Sequence, residues 1–96
     1  MKVLHLIYDL EFEPLVTAIL HRDTVIPRYT RLESVTGARA IEAATRGDYA
    51  LARKNRMLIV IAPEAQIAKL VAELQQLRTR LKHGLRGYVT SAEAVI

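Results

Sequence analysis

The sequence predicts an α+β fold in which two β-α-β units share one antiparallel sheet. Two apolar runs, 2–8 and 57–62, contain β-branched residues and have the character of buried strands. Each run is followed by a proline and then by apolar residues at helical spacing. A further strand-like segment follows each predicted helix, so the order β-α-β occurs twice within 96 residues.

The first β-α-β unit begins with KVLHLIY at 2–8. Pro14 suits the first turn of a helix, where its missing N–H costs nothing, and the apolar stripe that follows extends to about residue 22. Pro27 marks a connector, since proline is awkward inside a central strand. The segment 28–35, RYTRLESV, alternates between polar and apolar residues as a strand does, and we expect Gly37 to end it.

The second unit begins with the strand 57–62, MLIVIA, after which Pro63 opens the most regular amphipathic helix of the chain. Its apolar stripe comprises Ile67, Leu70, Val71, Leu74, Leu77 and Leu81. Gly84 is placed to end the helix. LRGYVTS at 85–91 predicts a fourth strand, and AEAVI predicts a short terminal strand or tail. This order is the split pattern of a ferredoxin-like sandwich, and we expect one domain over 1–96.

A long connecting segment, about 37–56, separates the second and third predicted strands. Connections of more than about 12–15 residues are uncommon in small domains and are usually functional or disordered. The segment is basic, with Arg39, Arg46, Arg53, Lys54 and Arg56 against Glu42 and Asp48. Two interpretations remain open: an arm that binds an anion or a partner, and a loop whose charges only keep it solvated.

Composition limits the function classes. The net charge is +4 and the pI about 9.8, but aromatic residues make up only 5% and no stacking platform for bases is visible, so we expect no nucleic-acid partner. The absence of cysteine excludes disulfides and thiolate metal sites. The apolar runs are too short to span a membrane and the first residues lack a signal-peptide cleavage site, which predicts a cytoplasmic protein without membrane insertion.

The predicted sheet has too many apolar residues for a single covered face. In a ferredoxin-like fold both helices lie on the same side of the sheet, so the other side should alternate to polar. Instead, the runs 3–7 and 57–62 are apolar at nearly every position, as in strands buried on both sides. We expect other copies of the chain to cover the second face. The alternative is an exposed apolar patch on a monomer.

Catalytic and metal-binding patterns are weak. The three histidines, His5, His21 and His83, lie on different predicted elements without ligand spacing, so we expect no metal site within one subunit. We expect His5 to be a hydrogen-bonded core residue. Asp9, Glu11 and Glu13 lie at a strand-to-helix turn, where acids favour the helix N-terminus, and this explains them better than acid–base catalysis. The sequence contains no Gly-rich phosphate-binding loop and no nucleophile paired with a histidine base, so we expect that the protein is not an enzyme.

Three stretches of the chain carry a resemblance: YTRLESVTG at 29–37, the segment 57–77, and GLRGYVTSAEAVI at 84–96. Together they resemble the nitrogen regulatory P-II signalling superfamily. The similarity is greatest to its small P-II-like branch. It rests on the order and spacing of the three stretches and covers nearly the whole chain except 38–56.

This resemblance implies a homotrimer around a threefold axis, acting as a cytoplasmic signal-transduction protein. The long segment would be the T-loop, which contacts a target protein such as a membrane transporter or an enzyme. A ligand site at the loop base, between subunits, would take ATP, ADP, AMP or another small anion. The alternative function is a trimeric interaction module that binds its partner without a ligand.

The resemblance also implies site residues. Arg86 falls where the family has a phosphate-binding lysine, and an arginine can hold a phosphate bidentately. Gly37 matches the first glycine at the T-loop base, and Arg39 replaces the second. The backbone at Gly84 and Gly87 would supply further donors. The partner-binding residues of the loop would be Arg46, Tyr49, Arg53 and Lys54.

Overall fold

The computed structural model describes residues 1–22, 29–37 and 53–96. In these ranges the chain forms four strands and two helices. The strands are β1 (Lys2–Asp9), β2 (Tyr29–Gly37), β3 (Arg53–Ala62) and β4 (Leu85–Ser91). The helices are α1 (Glu13–Arg22), which follows a short 3-10 turn at Leu10–Phe12, and α2 (Glu64–Arg80).

The strands form one antiparallel sheet in the order β2-β3-β1-β4. The two strands that contain the apolar runs, β1 and β3, lie in the centre, where both of their edges are paired. Lys2 pairs with Ala62 of β3 on one side and with Ser91 of β4 on the other, which fixes the register of β1 with both of its neighbours. The β2–β3 register shifts between Leu32 and Val35. This topology confirms the predicted ferredoxin-like α+β fold.

The core lies between the two helices and one face of the sheet. Leu4, Leu6 and Tyr8 of β1 point into it together with Leu58 and Val60 of β3, and each is at most 2% exposed. The helices contribute Val16, Ile19 and Leu20 from α1 and Ile67, Leu70, Leu74 and Leu77 from α2. Burying one such aliphatic side chain contributes about 1.5–3 kcal/mol, so these residues hold the helices against the sheet.

The other face of the sheet is not covered by the described residues. It carries Ile7, Ile59, Ile61 and Leu32, and Tyr88 extends it onto β4. Ile61 is 48% exposed and Tyr88 is 57% exposed. His5 pairs with Ile59 on this same open face, so its prediction as a core residue was wrong. Side chains alternate between faces along a strand, and Leu4 and Leu6 occupy the core positions on either side of His5.

Two boundaries differ by several residues from the sequence-based predictions. Strand β3 begins at Arg53 rather than Met57, because Gly37 and Arg53 are paired by the backbone ladder, which does not require apolar side chains. Arg53 and Lys54 therefore belong to a strand and not to the connecting loop. Helix α2 ends at Arg80, before Gly84, so that glycine does not end the helix.

Candidate functional site

The described candidate ligand-binding residues lie toward the same end of the sheet, but not beside one another. Strand β2 ends there at Gly37, and β4 begins there at Leu85. Gly37 lies beside Arg53 at the outer edge of the sheet, whereas Arg86 of β4 lies beside Ile7 at the opposite edge. The fold thus places the two best-matched residues at the same end but on different edges.

The strand order separates these two residues within one chain. Three strand spacings lie between β2 and β4, which corresponds to roughly 14 Å across the sheet. The register aligns Arg86 with Ile7 and Met57, four residues along β3 from the partner of Gly37, which adds roughly 13 Å along the strands. A single phosphate group therefore cannot contact both residues in one chain, and a shared site requires two chains.

Arg86 and Gly87 present different groups to their surroundings. The Arg86 side chain is exposed and lies on the uncovered face, beside Ile7. Gly87 lies on the helix-covered face, where a Cβ would meet Leu4 at 3.4 Å. The Asp9 N–H donates to the Gly84 carbonyl at 2.8 Å. Because hydrogen-bonded pairs alternate along an antiparallel ladder, Gly87, which lies opposite Leu6, is at a non-bonded position. Its N–H therefore points away from β1, out of the sheet edge. The Arg86 side chain and the Gly87 N–H are thus both accessible, but they point in different directions.

Gly84 has a structural function that the sequence did not reveal. Its φ of +83° lies in the region that favours glycine, and a Cβ would lie 2.6 Å from the Phe12 ring. Its carbonyl accepts from Asp9 at 2.8 Å, which joins the start of β4 to the end of β1. These contacts explain the glycine without a ligand.

The predicted partner-binding residues are only partly described. Lys54 lies in β3 with an exposed side chain, and it pairs with Thr36 of β2. Arg39, Arg46 and Tyr49 lie outside the described residues, so their roles remain predictions.

A charged cluster, which the sequence reasoning missed, lies at the same end of the sheet on the helix-covered side. The Glu13 carboxylate accepts a hydrogen bond from the Tyr8 hydroxyl and one of 3.2 Å from the Thr17 hydroxyl. The Arg56 guanidinium lies 2.9 Å from it, and the Arg31 guanidinium lies 3.5 Å from it. This Glu13 cluster joins α1 to β1, β2 and β3.

The cluster extends outward to Glu33 of β2, which is exposed and lies 3.8 Å from Arg56 and 3.9 Å from Arg31. The two strands that flank 38–52 are therefore tied to the first turn of α1 through their arginines. The Arg56 Nε is buried and has no acceptor among the described residues.

Burial and hydrogen bonding act in opposite directions on Glu13. Burial alone would raise the pKa of this carboxyl, but hydrogen bonds from Tyr8 and Arg56 outweigh it and lower the pKa below its ordinary value. The pKa of Tyr8 is raised, first by burial and then by its hydrogen bond to Glu13. At neutral pH the cluster therefore consists of an ionised carboxylate, a neutral phenol and two guanidinium groups.

The sequence held only a faint signal for this cluster. Glu13 was explained by the helix N-terminus, where it does lie. Arg56 immediately precedes an apolar run, and Arg31 occupies a strand position that faces the helices. Charged residues on the covered face of a sheet require partners, but only the register identifies them.

A metal site needs clustered ligands, and a membrane span needs a long apolar helix. No group of three or more potential metal-ligating residues occurs within 1–22, 29–37 and 53–96. His83 lies beside Phe12, with ring centroids 6.3 Å apart, and His21 lies in the last turn of α1. Neither helix in the described part of the chain is long and apolar enough to cross a membrane.

No protein-family model matches the chain. Solved structures do match. One is CPII from Thiomonas intermedia, a nitrogen regulatory PII-like protein bound to ADP, AMP and bicarbonate; its TM-score is 0.69 at 18% identity, over 98% of this chain and 94% of that one. CPII bound to ADP and bicarbonate matches with a TM-score of 0.67 at 21% identity, covering 93% and 82%.

A duf3240 family protein from Shewanella baltica matches with a TM-score of 0.71 at 15% identity, over 97% of this chain and 90% of that one. All three structures align over most of both chains, so the agreement includes the element order and the sheet. At these identities the likeness concerns the backbone fold. The chain therefore has the ferredoxin-like fold of the PII-like signalling proteins, as the sequence resemblance predicted.

Proposed function

We propose that the protein is a PII-like regulatory protein that senses a small anionic ligand between subunits and contacts a target protein through 38–52. The observation that carries this proposal is the position of Gly37 and Arg86 at one end of the sheet but on opposite edges. Residues that match one family site, yet cannot meet within one chain, are expected if the site forms between neighbouring copies.

The uncovered sheet face supports the assembly that such a site requires. Ile59, Ile61 and Ile7 lie on this face without cover from either helix. Apolar surface of this kind is characteristic of an interface. A homotrimer, with the three open faces packed around a threefold axis, would bury it and bring β2 of one subunit near β4 of the next.

The chemistry of Arg86 supports an anionic ligand. Its guanidinium is exposed, and no described residue supplies a carboxylate to it. A planar guanidinium matches a phosphate or carboxylate group with two parallel hydrogen bonds. CPII, which has the same fold, was solved with ADP, AMP and bicarbonate. The ligands to consider are therefore adenine nucleotides and small carboxylate-like anions.

Calorimetric titration tests the proposal. ATP, ADP, AMP and bicarbonate would each be titrated into the wild-type protein, and into Arg86→Ala and Arg80→Ala. Arg80 is an exposed arginine of α2 and serves as the matched control. A hydrogen bond to a charged group contributes about 1.5–3 kcal/mol, so Arg86→Ala should weaken binding roughly ten- to a hundredfold.

If none of these ligands binds the wild-type protein below about millimolar concentration, the proposal that the protein senses an adenine nucleotide or bicarbonate is wrong. Equal affinities of the two variants would instead show that Arg86 is not in the site. In the first case, an interaction module that binds its target without a ligand becomes the better account of the basic segment.

A further inference from the structure

The groove between α2 and β4 has an apolar lining that the core does not fill. Its volume is about 150 Å³. Its lining includes Leu4, Leu74, Gln75, Arg78, Gly87 and Val89. Val89 points to the helix-covered side of the sheet but is 46% exposed. Gly87 leaves further room, since it has no side chain beside Leu4.

The strand that borders this groove has a free hydrogen-bonding edge. Asp9 N–H donates to Gly84 O, and Ala92 N–H donates to Met1 O, at 2.8 and 3.1 Å. Between these two bonds the antiparallel ladder alternates, so the N–H and C=O groups of Leu85, Gly87, Val89 and Ser91 point away from β1. In the part of the chain that the structure describes, no strand pairs with this edge.

A free strand edge beside an apolar groove is the arrangement that accepts an added extended segment. The backbone of the segment pairs with the edge, and its alternate side chains enter the groove. The groove has room for one branched aliphatic side chain of such a segment. Among the described residues that line the groove only Arg78 is charged, which favours an acidic residue in the occupant.

The residues after β4 have the complementary properties. Residues 92–96, AEAVI, carry one acid and no base, and Val95 is 83% exposed. Glu93 and Val95 lie two residues apart, so in an extended conformation they point to the same side. The tail cannot easily reach its own groove, because Ala92 still lies beside Met1 and the chain is moving away from Leu85.

We propose that the α2–β4 groove is a docking site for the tail 92–96 of a second copy of the chain. The tail pairs as an extended strand with the free edge of β4. Val95 enters the groove beside Gly87, and the Glu93 carboxylate lies near the Arg78 guanidinium. This contact lies on the helix-covered side of the sheet. It does not use the uncovered face, although it shares β4 with the subunit arrangement proposed above.

Disulfide trapping tests the proposal, because the chain contains no cysteine. Val95→Cys and Gln75→Cys would be co-expressed as two single variants of different mass, both at exposed positions. A disulfide requires Cα atoms about 4.4–6.8 Å apart, so after mild oxidation the heterodimer should form several-fold more than in the control. The control replaces Val95→Cys with Leu15→Cys, at an exposed apolar residue of α1.

A yield no higher than that of the Leu15→Cys control would overturn the proposal, whatever else occupies the groove. So would a Gln75→Cys/Val95→Cys double variant that closes only within its own chain, since the tail would then fill its own groove. Glu93→Arg should reduce the trapped heterodimer, and Arg78→Glu in the partner should restore it. Arg80→Glu, outside the groove, should not restore it.

Discussion

The Arg56 guanidinium lies 2.9 Å from the Glu13 carboxylate and thereby connects the start of β3 to the first turn of α1. Arg31 of β2 approaches the same carboxylate. Both strands that border 38–52 are therefore anchored at one acid. If ligand binding at the sheet end repositions these strands, Glu13 is the point at which α1 would respond.

The charge of Glu13 should matter more than its size. Glu13→Gln preserves the shape of the side chain but removes the charge that the two guanidinium groups require, so the melting temperature should fall by several degrees. Glu64→Gln is the matched control, because Glu64 is also an acid in the first turn of a helix. Thermal unfolding followed by circular dichroism measures both. Equal losses would assign the effect of Glu13 to the helix dipole.

The stabilisation by Glu13 should depend on pH. Its folded-state pKa lies below the ordinary value of 4.5, so its contribution is complete above that value and is lost as pH falls through the folded-state pKa. The difference in unfolding free energy between wild type and Glu13→Gln should therefore be constant near pH 7 and shrink in acid. Urea unfolding at a series of pH values measures this. A difference that persists at the lowest pH would contradict it.

The Tyr8 hydroxyl should stabilise the fold through the same carboxylate. Tyr8 is 1% exposed and donates to Glu13, so Tyr8→Phe removes a buried donor to a charged group and should cost about 1.5–3 kcal/mol. In the background of Glu13→Gln the same substitution should cost less. A double-mutant cycle from urea unfolding measures this coupling, and additive losses would contradict it.

The uncovered sheet face should hold the assembly together. We expect the wild-type protein to have the mass of three chains, and Ile59→Glu should dissociate it, because a buried unpaired charge is strongly unfavourable in an interface. Leu15→Glu, on the exposed side of α1, should leave the mass unchanged. Light scattering coupled to size-exclusion chromatography measures both. A wild-type monomer at micromolar concentration would refute the trimer.

The segment 38–52 should be unnecessary for folding. Gly37 and Arg53 are already paired, so a two-residue Asn-Gly turn can join them as a hairpin. The shorter connection costs less closure entropy, and the unfolding free energy should be unchanged or should rise by about 1 kcal/mol. Ligand binding should be lost if the segment completes the site. A large loss of stability would mean instead that 38–52 packs against the core.

The sequence by itself determined the order of the elements. The apolar runs in β1 and β3 and the stripe along α2 follow from local periodicity, which the sequence displays directly. The excess of apolar residues also predicted that the second sheet face is apolar, and Ile59 and Ile61 lie on that face. Its cover by other copies of the chain stays a prediction. The start of β3 was placed four residues late because RKNR has no apolar signal, and only its pairing with β2 identifies it as strand.

Only the tertiary structure decided which distant residues meet. Tyr8, Glu13, Arg31 and Arg56 are separated by up to 48 residues, and their cluster depends on strand order and register. The same register placed His5 on the open face rather than in the core, and separated Gly37 from Arg86 by two intervening strands. Local sequence patterns indicate which side of a helix or strand is apolar. Contacts between elements depend on register, which is a property of the whole sheet.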